Sequence, residues 1–326
     1  MSSKTVRETS ANNSRAWQQL PLQYAGMAIA LIVLVTVFSL RSKTFFSAAT
    51  FTTIANSIPD LTIVAVGMTF VLIVGGIDLS VGSVLALASS IFAILLTDRH
   101  WPIWGAGITA VLCAGVCGWI NGFVSAQYRI PAFIVTLGML EIARGGAYLV
   151  TNSETKYIGS SIEWATEPIA NLAVSPAFLF AVLVVLAGQW MLHRTVLGRM
   201  AVAIGTNAET VRMSGIRTLP TLLSIYTMCG ALCGIAALIQ TSKLSTADPN
   251  SGAGLELAAI AACVIGGTSL RGGSGSVINT FFGVLIVSVL QSGLAQMGAS
   301  DPMKRIVTGL VIIFAVLVDS LRNNQR

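Results

Sequence analysis

The chain predicts an all-α, polytopic membrane protein of about ten transmembrane helices, and three observations carry that prediction. Of its 326 residues 54% are hydrophobic and only 10% charged, where a soluble protein carries roughly a quarter charged residues. Its mean hydropathy is +0.80. The apolar residues gather into separate runs near the roughly 20-residue length that a bilayer core demands, which leaves little chain for a soluble domain.

Residues 1–20 are polar and mildly basic (Lys4, Arg7, Arg15) and read as a mobile cytoplasmic tail. A transmembrane domain over 21–322 follows, with a short tail at 323–326. The expected spans are 24–40, 58–74, 81–96, 103–124, 132–150, 176–192, 219–241, 255–270, 277–297 and 306–321. The first is read as a retained span and not as a cleaved signal core. Trp101, Trp104, Trp164 and Trp190 fall near span ends, where indole rings anchor at the interface.

Arg129, Arg194, Arg199, Arg212, Arg217, Arg271, Arg322 and Arg326 fall, with the basic N-terminal tail, in the segments on one side. Against them stand only Glu8, Asp78, Glu209 and Asp319. The other side is balanced, so both termini are expected in the cytoplasm. The net charge of +6 is thus a topology signal, and no nucleic-acid partner is expected. Cys113 and Cys117, like Cys229 and Cys233, share a helix face inside apolar runs and read with Cys263 as small packing residues; no metal ligand set is expected. Gly118-x-x-x-Gly122 and Gly230-x-x-x-Gly234 have the spacing that lets helices approach closely in lipid, either within one chain or between copies.

Between the second and third spans lies Gly75-Gly76-Ile77-Asp78-Leu79-Ser80-Val81-Gly82-Ser83, which brings a carboxylate, hydroxyls and glycines into an apolar setting. Either it is a surface turn in which Asp78 caps the helix beginning near Ser80, or it is a joint on a pathway where protein or a water-filled cavity satisfies irregular backbone. The segment has an echo: Gly266-Gly267-Thr268-Ser269-Leu270-Arg271-Gly272-Gly273-Ser274 repeats Gly-Gly, then Leu, then Gly-Ser. Interrupted helices at matching places in two halves point to a transport pathway. Ser80, Ser83, Asn121 and Thr136 are the uncharged polar candidates to line it.

Glu141 and Arg144, three apart on the fifth span, are a candidate intramembrane pair; they are alternatively pathway groups, or Arg144 snorkels to the interface. Glu256 opens the eighth span, where an acid suits a helix N-terminus. The longest cytoplasmic connection, 193–218, holds Gly205 and a short helix in which Asn207 is the N-cap, Glu209 sits in the first turn with Arg212 behind it, and Gly215 is the stop. Two polar turns are too short to be stable alone, so that helix should dock on a partner.

The run from Val66 to Ser83, VGMTFVLIVGGIDLSVGS, resembles the signature of the ribose-type monosaccharide ABC permeases, the membrane subunits of bacterial binding-protein-dependent sugar importers. The resemblance continues at Pro131-Ala132-Phe133-Ile134-Val135-Thr136-Leu137-Gly138, at Leu197-Gly198-Arg199, at Gly205-Thr206-Asn207, at Ser214-Gly215-Ile216 and over 259–275, and so covers about 45–319. It implies a multi-pass protein of the bacterial inner membrane that pairs with a second permease copy and receives sugar from a periplasmic sugar-binding protein. It also implies a cytoplasmic ATPase that binds ATP and magnesium and takes up the coupling helix around Glu209, although Thr210 and Val211 stand where the wider importer pattern has alanines. The chain itself has no Gly-Lys pair, hence no phosphate-cradling loop of that type, and no catalytic residue or cofactor of its own is expected. The competing reading is a proton-coupled secondary sugar carrier that relays protons through Asp78, Glu141 and Glu256.

Overall fold

The computed structural model describes residues 26–169 and 172–323. The expected tail at 1–20, the start of the first span at Tyr24 and the last residues, with Arg326, lie outside the described residues. The helices are α1 (Gly26–Arg41), α2 (Ala48–Ser57), α3 (Pro59–Ile73), α4 (Val81–Thr97), α5 (Ile103–Tyr128), α6 (Ala132–Thr151), α7 (Pro176–Arg194), α8 (Val196–Met213), α9 (Leu219–Leu244), α10 (Leu255–Ile265), α11 (Val277–Gln296) and α12 (Asp301–Asn323). A two-stranded antiparallel ribbon pairs β1 (Lys156–Tyr157) with β2 (Thr246–Ala247).

α5, α6, α7, α9 and α11 are each long and apolar enough to cross a membrane, and α2 with α3, bent by 49° at their junction, makes a sixth candidate. α1, α4 and α10 are apolar but shorter. The chain is a multi-pass, essentially all-helical membrane protein.

One helix lies outside the expected spans: Ser47 Oγ accepts from the Thr50 N–H and starts α2, whose polar threonines hide its helical character. Two expectations need correction. The 255–270 span is an 11-residue helix that stops at Ile265, about 16 Å of rise where a bilayer core needs about 30 Å. The connection 193–218 is mostly helix. α8 runs through it from Val196 and bends at Asn207, whose extended backbone interrupts the helical one and whose Oδ1 accepts from the Thr210 N–H at 2.9 Å.

The core is organised on α9. α3 runs antiparallel to it, with Lys243 Nζ donating to the Ser57 carbonyl at one end and Gly76 meeting Tyr226 near the other. α4 returns along α9 toward the ribbon, where Asp98 pairs with Lys156 at 3.9 Å. α5 packs along α9 more extensively than any other helix, and both small-residue motifs lie in that seam. A Cβ on Gly118 would strike the Tyr226 carbonyl, one on Gly230 the Ala114 carbonyl, and one on Gly234 the backbone of Val111. Both motifs therefore close one intramolecular contact and not a seam between copies. Dispersion between touching backbones is what holds such a pair where lipid removes the hydrophobic drive.

Gly118→Val is expected to destabilise the fold by about 3 kcal/mol through overpacking against backbone that has nowhere to move. Thermal unfolding of the purified protein in detergent, compared with an exposed control such as Gly138→Ala, measures it.

Candidate functional site

Both glycine pairs end a helix in the same way. At the end of α3 the Gly75 N–H reaches the Leu72 carbonyl and the Gly76 N–H the Val71 carbonyl, each at 2.9 Å, with Gly75 at φ +79°. At the end of α10 the Gly267 N–H reaches Val264 and the Thr268 N–H reaches Cys263, with Gly267 at φ +80°. These are Schellman caps, and the left-handed residue in each is glycine because a Cβ there is penalised. The structural equivalence is thus Gly75 with Gly267, one residue out of step with the sequence echo.

The second glycine of each pair answers to packing. A Cβ on Gly76 would collide with the Tyr226 hydroxyl, and one on Gly266 would lie 2.6 Å from the Asn279 carbonyl oxygen. Gly267, by contrast, has open space around it and is needed for its backbone angle.

The two turns meet. The Ile73 carbonyl, left without an intrahelical partner at the end of α3, accepts the Gly273 N–H at 2.8 Å. Gly205 of α8 is pressed onto the same carbonyl, so that any Cβ there would occupy it. Gly272 closes the contact, since its Cβ would fall 2.9 Å from both the Gly75 nitrogen and the Gly205 oxygen. Ile73, Gly75, Gly205, Gly272 and Gly273 form one backbone junction between α3, the α10–α11 turn and α8.

Beyond the first cap the chain is extended through Ile77–Leu79 and re-enters helix at α4. Asp78 is 2% exposed, not a surface charge of the cytoplasmic side as its place in the charge balance assumed. Its Oδ1 accepts from the Ser80 N–H at 2.9 Å and the Ser80 hydroxyl at 2.6 Å, while Asn121 Nδ2 donates to that hydroxyl at 3.0 Å. The Thr136 hydroxyl donates to the Ile77 carbonyl and accepts the Leu79 N–H, both at 3.1 Å. Ser80, Ser83, Asn121 and Thr136 are all buried and thus do not line an open path here; three of them bond to the turn or its acid. The second turn repeats the device weakly, with Ser269 Oγ accepting the Arg271 N–H at 3.2 Å. Among the described residues, the Ser83 hydroxyl, the Asn121 Oδ1 and the Tyr226 hydroxyl are buried without a partner around the first turn.

Glu141 and Arg144 do not pair. Arg144 donates to the Pro249 and Ser251 carbonyls at 2.5 and 2.9 Å, and the Tyr148 hydroxyl bonds Asn250 Oδ1 one turn further along α6. Both hold the loop 248–254, which leaves the ribbon and enters the bundle until Gly252 lies against Gly82 in the first turn of α4. Glu256 then accepts the Gly254 N–H at 3.1 Å, as an acid at a helix start should, and its carboxylate abuts Gly82. Sequence reasoning missed this loop and Tyr226; the clustered Pro249, Asn250, Gly252 and Gly254 ahead of a short apolar run were the available signal.

On α8, beyond the Asn207 bend, Glu209 and Arg212 form an exposed ion pair at 3.3 Å. The helix closes on Gly215, whose N–H reaches Arg212 while that of Ile216 reaches Val211. Val211 faces the core, whereas Met213 is 82% and Ile216 45% exposed.

Residues 50–316 match the family described as branched-chain amino acid transport system, permease component. The chain is 37% identical over 303 residues to the ribose import permease protein of Escherichia coli (strain K12), an alignment covering 90% of this chain and 92% of that one. It is 32% identical over 337 residues to the fructose import permease protein of Rhizobium meliloti (98% and 92% covered). To the L-arabinose ABC transporter permease protein of Azospirillum brasilense it is 30% identical over 311 residues (95% and 91%).

The crowding of Gly76 against an unpartnered hydroxyl yields a suppressor test. Tyr226→Phe alone is expected to leave the protein's activity within about twofold, since the lost hydroxyl bonds nothing in the protein. Gly76→Ala should reduce activity about tenfold by overpacking, and the double variant should recover most of it. Transport assays on the three variants at matched membrane abundance measure this, and equal loss in single and double variants would remove the Tyr226 contact as the cause.

Proposed function

Because the chain belongs to the family of transport permease components that includes the ribose import permeases, we propose that it is the membrane subunit of an ATP-driven importer carrying a neutral monosaccharide, ribose or a related pentose or hexose, across the bacterial inner membrane. Relatives named for import of ribose and fructose and for an L-arabinose ABC transporter support the substrate class. The energy comes from a cytoplasmic ATPase, which binds the nucleotide and its magnesium, because this chain lacks the Gly-Lys of a phosphate loop. A periplasmic sugar-binding protein delivers the substrate, and two permease copies embedded in membrane lipid enclose the path. Nucleic acid plays no part.

The single observation that carries the coupling mechanism is the seat of Gly205 on the Ile73 carbonyl. The segment beyond Asn207 exposes Met213, Ile216 and the Glu209–Arg212 pair, an apolar and charged surface suited to a partner's cleft. On the same helix, Gly205 touches both glycine-rich turns through backbone. Motion of the ATPase at this surface therefore reaches α3, α10 and α11 without passing through flexible side chains. The proton-carrier alternative is less well supported: Asp78 is committed to Ser80 and Glu256 to its own helix start, and among the described residues no hydrogen bond links either to Glu141.

Arg212→Glu reverses charge on the proposed docking face and breaks the pair with Glu209, and Met213→Glu removes its exposed apolar contact. Each should weaken capture of the ATPase about tenfold or more and lower ATP hydrolysis and ribose uptake together in proteoliposomes supplied with the sugar-binding protein. Normal capture and coupling in both would move the docking site to another loop, such as that of Arg129. Uptake that persists without the ATPase and collapses with a protonophore would replace the reading by the proton carrier.

A further inference from the structure

Among the described residues of the five helices long enough to cross a membrane, Glu141 is the one acid, and it lies at the middle of α6. α6 is also the least buried of the five. Glu141 is exposed, and among the described residues it forms neither ion pair nor hydrogen bond. A carboxylate at the centre of a membrane helix does not face hydrocarbon; it faces water, a polar cargo or a protein partner.

Its surroundings select among these. Gly138 and Gly145, on the turns to either side, carry no side chain and have open space where a Cβ would be, so neither covers the carboxylate. From there toward the ribbon the same helix carries Arg144 and Tyr148, and these hold the loop that presents exposed Asn250. Amide, phenol and acid thus succeed one another from the ribbon end of the bundle to its middle. A ladder of hydrogen-bonding groups with a single fixed negative charge suits a neutral polyol, whose hydroxyls donate to the carboxylate and exchange partners from rung to rung.

We propose that Glu141 is a substrate-contacting residue of the translocation path, its carboxylate accepting hydrogen bonds from the hydroxyls of the monosaccharide as it passes α6. This rests on the importer reading. The open face of α6 then lines the path, Arg144 is a positioning residue that keeps the 248–254 loop against it, and the lipid-facing surface lies elsewhere, as at Leu183 of α7.

The test uses the permease reconstituted with its ATPase and sugar-binding protein. Glu141→Leu and Glu141→Ala should lower uptake of radiolabelled ribose at least about tenfold with ATPase capture unchanged, and Glu141→Gln, which keeps an acceptor oxygen, should lower it less. In a parallel arm, Glu141→Cys should react with a membrane-impermeant methanethiosulfonate well above the unmodified chain, and ribose-loaded binding protein with ATP should slow that reaction. Leu183→Cys should not react. Wild-type uptake in Glu141→Leu would overturn the inference while leaving the importer intact. So would a Cys at 141 that is unreactive and instead cross-links to its counterpart in a second copy. Failure of the unmodified complex to take up ribose, arabinose or fructose would count against the importer reading, and the thiol arm would still decide whether position 141 faces water.

Discussion

The two glycine-rich turns of this permease and α8 meet at the carbonyl of Ile73. It ends α3 without an intrahelical partner, accepts the Gly273 N–H from the second glycine-rich turn, and is covered by Gly205. An unpaired peptide group away from water costs several kcal/mol, so the bond is a condition for ending a helix at this place. The absence of side chains on the surrounding glycines is what lets three backbones share one carbonyl. A contact between backbones transmits displacement with little give.

The acid in the first turn follows the same logic. Asp78 is enclosed by protein, yet its Oδ1 accepts from both the N–H and the hydroxyl of Ser80, and Asn121 and Thr136 supply further bonds to the turn. Its chemistry is that of a cap brought inside the bundle. Among the described residues, polar atoms of Ser83, Asn121 and Tyr226 are buried without a partner around this turn. Close-packed glycine seams hold the scaffold around it.

Loop 248–254 is the counterpart on the other side of α4. Irregular backbone at that depth is tolerated because Arg144 satisfies two of its carbonyls and Tyr148 fixes Asn250. The arginine that sequence spacing offered to Glu141 is thereby consumed, and the acid is left free on an open helix face.

The long apolar helices α5, α6, α7, α9 and α11 were legible from the sequence, because apolar runs of bilayer length have few alternatives once a membrane is the solvent. So were the caps at Asn207, Gly215 and Glu256, which act through residues two to five positions away, and short-range chemistry can be read along a chain. What only the tertiary structure decided is which partner each polar or small residue meets at long range. Spacing proposed that Glu141 binds Arg144, that Gly76 and Gly267 are equivalent and that the 255–270 run is a full helix. The first two failed because the deciding atoms, the Pro249 carbonyl and the Tyr226 hydroxyl, come from segments far away in sequence, and the third because the Gly266-Gly267 cap stops α10. A one-dimensional pattern records the capacity of a residue to bond or to yield space; the competition among distant groups for that capacity is settled by packing.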